Sequence, residues 1–155
     1  MKSIYKVLIA IAFVLILIGY YFIEQSFINK LYTLDCSKNV DLDGFKATDH
    51  LIYSYKGSNL QEFNLRRDID LSDYSDYEIR ITVSQYNLCD KFKDIDVGKN
   101  LVFKDCKQEV NGKIISLYSS YDFNEGVNPK DFGTYVARKK MLDKNKYNCN
   151  IKEGD

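Results

Sequence analysis

The chain has 155 residues, 45% hydrophobic and 28% charged, with 22 basic side chains balanced by 22 acidic ones. A neutral balance without a clustered basic excess argues against nucleic-acid binding, and the aromatic and aliphatic content argues against disorder. One His and four Cys leave little for a metal centre or a His-dependent active site, so no cofactor is expected.

Val7 to Ile23 is an uncharged run of 17 residues. As a helix it spans roughly 26 Å, close to the ~30 Å hydrocarbon core of a bilayer. Tyr20 and Tyr21 stand where an interfacial aromatic belt would. Lys2 and Lys6 flank one end and Glu24 the other. The positive-inside rule then makes residues 1–6 a cytoplasmic stub, 7–23 a transmembrane signal-anchor, and the remainder a domain outside the cytoplasm. The rival reading is a cleaved signal peptide, whose apolar region is shorter and ends in small residues. Tyr20-Tyr21-Phe22-Ile23-Glu24 offers no such site, so an uncleaved single-pass anchor in the inner membrane is expected. Residues 24–35 are expected to extend that helix, because Phe27, Ile28, Leu31 and Leu34 share one stripe.

Residues 36–155 read as one domain, with no internal repeat. The run Asn39-Val40-Asp41-Leu42-Asp43-Gly44 has the first half of a calcium loop: oxygen ligands at Asn39, Asp41 and Asp43, then Gly. The second half fails, since Lys46 and His50 occupy the apolar and bidentate-Glu positions. A polar turn is the better reading, and no metal is expected. Leu51 to Tyr55 and Leu60 to Leu65 form a hairpin through Lys56-Gly57-Ser58-Asn59.

Asp68 to Glu78 is acidic and Tyr-bearing. Asp70, Asp73, Tyr74, Asp76 and Tyr77 are the candidate partner-binding residues, because Tyr offers large contact area with a polar tip. Tyr77 to Ser84 alternates apolar and polar residues, which predicts a half-buried strand. Leu101 to Val110 and Lys113 to Tyr118 form a hairpin about Asn111-Gly112. A type I′ turn there pairs Val110 with Lys113 and Cys106 with Leu117. Val102, Cys106, Val110, Ile115 and Leu117 then make the core face. A C-terminal helix starts at Asn128, with Pro129 at its first position. Its stripe is Phe132, Tyr135, Val136 and Leu142. Gly133 and the β-branched neighbours make a strand over 134–138 the alternative. Arg138, Lys139 and Lys140 form a small basic cluster, read as a charged helix face.

The resulting fold class is α+β: an N-terminal transmembrane helix, then a small, mainly antiparallel β domain with one C-terminal helix. Four cysteines in an exported domain predict two disulfides. Cys36–Cys149 and Cys89–Cys106 are the favoured pairs. None of the 12 Asn residues begins a glycosylation sequon, which leans toward a bacterial periplasm. His50 has no nucleophile motif beside it and reads as an exposed or strand-edge residue.

The function expected from these features is non-enzymatic. It is a membrane-anchored protein-binding domain, of the inhibitor, immunity or envelope-complex accessory kind. Its expected contacts are the bilayer, through residues 7–23, and an unidentified protein. The alternative is a hydrolase of envelope carbohydrate or lipid using Asp and Glu of 68–78.

Overall fold

A computed structural model describes residues 2–42, 45–85, 88–92, 97 and 99–154. It opens with helix α1 (Lys2–Asn29). Side chains are described in α1 for Ile11 to Ile23 and again at its carboxyl end. All thirteen residues of the first stretch are exposed, including Phe13, Leu15, Ile16 and Phe22. Thirteen residues span roughly 20 Å. Among the described residues no helix is long and apolar enough to cross a membrane.

The helix does not run through residues 24–35 as expected. It stops at Asn29, and strand β1 (Leu31–Leu42) begins two residues later. Leu34 fits both the helical stripe and a period of two. The period of two wins, because Tyr32, Leu34 and Cys36 are all buried together on one side of a strand. Ile28 and Leu31 remain exposed, and the side chain of Phe27 lies outside the described residues.

The domain is α+β. Its sheet has six antiparallel strands in the order β4-β5-β3-β2-β1-β6. After β1 come β2 (Phe45–Lys56) and β3 (Asn59–Asp70), the expected hairpin with longer arms. Then follow helices α2 (Asp76–Gln85) and α3 (Cys89–Phe92), and the hairpin of β4 (Leu101–Asn111) and β5 (Ile114–Phe123). A 3-10 turn at Pro129–Phe132, helix α4 (Tyr135–Lys144) and edge strand β6 (Asn148–Glu153) close the chain.

One sheet face is packed. Tyr53, Tyr55, Phe63, Leu65, Leu117 and Tyr121 are buried there, joined by Ile79 of α2 and Leu142 of α4. Its aromatics pair in two groups: Tyr135 stacks on Tyr32 at 4.4 Å, while Phe63 meets Tyr53 at 4.7 Å and Tyr121 at 5.3 Å. Such pairs add stability beyond the area they bury.

Three further sequence expectations are corrected. Residues 77–84 are helical, within α2, and not a strand. Ser75-Asp76-Tyr77-Glu78 is a capping box: the Ser75 N–H donates to Glu78 Oε2 at 2.8 Å and the Glu78 N–H donates to Ser75 Oγ at 3.3 Å. Two otherwise orphan backbone donors are thereby satisfied at the helix start. Ile79 and Val83, four apart, then turn to the core, whereas Tyr77 is 71% exposed.

The β4–β5 hairpin turns at Gly112-Lys113 instead of Asn111-Gly112, so Val110 pairs with Ile115 and Cys106 with Ser119. Gly112 has φ 60° and Lys113 does not share its positive φ, the pattern of a type II′ turn with Gly first. A bulge between Phe103 and Asp105 flips the strand's start, because one extra residue reverses the alternation. Ile115 and Leu117 are core and Cys106 is half-buried, whereas Val102, before the bulge, and Val110, next to the turn, are exposed.

The C-terminal helix is split. Asn128 caps only the 3-10 turn, accepting from the Lys130 N–H, and Gly133 at φ 71° ends it. Thr134 then caps α4 by accepting from the Ala137 N–H. Of the predicted stripe, Leu142 is buried, Phe132 and Tyr135 pack on the core edge, and Val136 faces outward.

Cys36 bonds Cys149, and Cys89 bonds Cys106. The first bridge joins directly paired positions of β1 and β6; the second ties α3 to β4. Two disulfides are consistent with an oxidising, extracytoplasmic location.

Candidate functional site

The direction of the strands gives the domain two ends. Gly57, in the β2–β3 turn, donates its N–H to Lys30 O at 2.7 Å, just past the end of α1. A Cβ on Gly57 would stand 2.8 Å from Ile28 O. The helix therefore meets the domain at this turn. From there β3 runs twelve residues to Asp70, roughly 36 Å away. The bend after β3, the β4–β5 turn, the end of β1 and the start of β2 form the far rim.

The five predicted partner-binding residues lie on that rim, in unequal roles. Asp70 accepts from the Ser72 N–H at 2.9 Å, which shapes the bend. Its carboxyl pKa is lowered by the Ser72 hydrogen bonds. Asp73 is exposed and lies 3.8 Å from Lys46 Nζ. Tyr74 stacks on Phe45 at 5.3 Å and is only half-buried. Lys113 Nζ fastens the bend by donating to Ser72 O at 3.1 Å and Tyr74 O at 3.0 Å. Asp76 and Tyr77, in the first turn of α2, face solvent. Asp73, Asp76 and Tyr77 are thus presented, while Asp70 and Tyr74 hold the bend.

The second sheet face carries a polar row that sequence reasoning missed. Arg66 clasps Asp68 with two bonds, Nε to Oδ1 at 2.9 Å and Nη2 to Oδ2 at 2.6 Å. Ser116 Oγ donates to the same carboxylate at 2.7 Å. His50 stands between Asp35, at 3.4 Å from Nδ1, and Asp68, at 3.8 Å from Nε2. The Arg66 guanidinium lies 5.5 Å from the Tyr118 ring centre. Burial acts to raise the Asp68 pKa, but the hydrogen bonds from Arg66 and Ser116 and the charges of Arg66 and His50 outweigh it, so the pKa is lowered. Half-burial on a sheet face, and not exposure at an edge, is where the structure places His50.

A groove of about 640 Å³ runs from this row to the rim, lined by Asn39, Lys46, Thr48, His50, Asp68 and Asp70 among others. Direct pairing of His50 with Arg66, and of Thr48 with Asp68 and then Ser116, builds it. The signal for it was the β2–β3 register. A bulge at Ser54/Tyr55 shifts that register by one residue, so turn position alone did not reveal it.

The Ser116 hydroxyl donates its hydrogen bond to Asp68 and not to His50. A carboxylic general acid needs a raised pKa, whereas Asp68, Asp70 and Glu78 are all lowered. The calcium candidate falls largely on a paired hairpin. Residues 39–42 and 45–50, which would form most of a twelve-residue loop, are paired strands, and Asn39 Oδ1 accepts from Thr48 Oγ1 at 3.1 Å. Asp43 lies outside the described residues. Among the described residues no group of three His, Cys, Asp or Glu is placed to hold a metal.

The basic cluster is used locally. Arg138 Nη2 donates to Phe132 O at 2.8 Å and its guanidinium lies 5.5 Å from the Tyr53 ring centre. Lys139 pairs with Asp143 at 2.7 Å.

No family model, curated protein or solved structure matches this chain.

Proposed function

We propose that the chain is a non-enzymatic binding domain, held on the outer side of a plasma membrane by residues 7–23 and presenting its far rim to another protein. The observation that carries this reading is the polarity of the molecule. A helix apolar on every side enters at one end of the sheet, and exposed Asp73, Asp76 and Tyr77 stand at the other. A helix apolar all round suits a lipid environment better than water, and the direct step from Asn29 to Leu31 leaves no slack linker. Flanking Lys2 and Lys6 favour a cytoplasmic amino terminus. An inhibitor of an envelope-acting toxin or an accessory subunit of an envelope complex has the same build.

Site-specific photocrosslinking tests it. A crosslinker at Tyr77 in the full chain is expected to give one dominant protein adduct in intact cells, weakened by D73N/D76N. A crosslinker at Ser58 is expected to miss that adduct. No adduct from Tyr77 under several growth conditions contradicts the binding role. Loss of a hydrolytic activity on single substitution of Asp68, Asp70 or Glu78, with folding intact, would establish the hydrolase instead.

A further inference from the structure

Three cavities among the described residues differ in their charges. The groove described above contains Asp41, Asp68 and Asp70. A second, on the same sheet face, sets Asp105 against Arg66 and Lys107. The third, about 570 Å³, lies where α1 joins the domain, and its walls include Ile28, Lys56, Ser58, Asn59, Lys130 and Thr134. Among the described residues no carboxylate lines it.

We infer that this third cavity, formed by the end of α1, the β2–β3 turn and the 3-10 turn, holds the phosphate headgroup of an anionic phospholipid. The inference rests on the membrane-tethered reading given above. If α1 lies in the bilayer, the cavity is at headgroup level, because Ile28 belongs both to the helix and to the cavity wall. Lys56, of the β2–β3 hairpin, and Lys130, of the 3-10 turn, are exposed cations that both line the cavity, and two ammonium groups complement one phosphodiester. Ser58, Asn59 and Thr134 add polar side chains suited to its oxygens and glycerol hydroxyls. Exposed Ile28, in the same wall, offers an apolar surface for the first acyl carbons. Lys30, at the same junction, is already paired with Glu153, so the free positive charge belongs to Lys56 and Lys130.

The test uses the full chain, extracted from membranes containing phosphatidylglycerol and phosphatidylethanolamine and examined by native mass spectrometry. Wild type is expected to retain phosphatidylglycerol preferentially. Each lysine beside an anionic lipid surface is worth about fivefold in affinity, so K56Q/K130Q is expected to weaken retention roughly 30-fold. K140Q/K144Q, which removes the same charge from the exposed face of α4, is expected to retain lipid as wild type does. Equal retention by wild type and K56Q/K130Q, or equal retention of phosphatidylethanolamine, overturns the headgroup site. Displacement of the lipid by inorganic phosphate at constant ionic strength also overturns it, in favour of a free-phosphate site. Alkaline carbonate extraction separates the two levels: release of the chain from membranes overturns the tether itself, while a chain that stays embedded and shows no lysine dependence loses only the headgroup site.

Discussion

Asp49 and Arg67 meet on the packed face of the sheet, bonded by Nε to Oδ1 and by Nη2 to Oδ2 at 2.7 Å, with side chains only 12% and 17% exposed. Truncating one partner of a buried pair leaves the other charge without compensation, at about 3–5 kcal/mol. Arg67→Ala is therefore expected to lower unfolding stability by that amount in urea titrations. Arg67→Ala/Asp49→Ala is expected to cost less than the sum of the single changes. Asp68 sets a pH dependence on the opposite face. Its folded pKa lies below its unfolded value, so its contribution is present above pH about 4 and disappears as pH falls through the folded value. Urea midpoints measured from neutral pH downward are expected to fall less steeply below pH about 4 in Asp68→Asn than in wild type. At this scale the chain was unevenly legible. Two disulfides followed from the cysteine count and their pairing was the favoured one of three, whereas the Asp49–Arg67 and Asp68–Arg66 pairs depend on register between strands.

Each element was readable where one local signal acted alone. The β2–β3 hairpin and the buried alternation of Ile115 and Leu117 emerged directly. Where two signals competed, the weaker-looking one decided. Alternation over Tyr77–Ser84 fits a strand, yet the Ser75–Glu78 capping box starts a helix, and Thr82 Oγ1 donating to Glu78 O at 2.9 Å absorbs a β-branched side chain within it. Ser75→Ala is expected to cost about 1 kcal/mol and to speed hydrogen exchange in α2 before the sheet. The two turn glycines make a paired prediction. Gly57 and Gly112 both have positive φ, but an added Cβ meets Ile28 O at Gly57 and nothing within 4 Å at Gly112. Gly112→Ala is expected to cost about 1 kcal/mol from backbone strain alone. Gly57→Ala is expected to cost more, with limited proteolysis near residues 28–31 accelerating in that variant only.

At the scale of the molecule, two bridges hold a sheet whose edge strand β6 pairs only with β1. Cys36–Cys149 closes 113 residues and Cys89–Cys106 closes 17. Loop-closure entropy assigns them about 5 and about 3 kcal/mol, so removing the first pair by C36S/C149S is expected to destabilise the domain more than removing the second. That stabilisation exists only where the thiols stay oxidised, which links the fold to its compartment. On the proposed reading the N-terminal helix supplies the same link from the other end, since seventeen uncharged residues lead toward β1 within one helix. Paired fusions at the carboxyl terminus of the full chain, one to alkaline phosphatase and one to green fluorescent protein, measure this directly in a bacterial host. High phosphatase activity in the membrane fraction with a dark fluorescent fusion is the predicted result; a bright fluorescent fusion with inactive phosphatase contradicts the account.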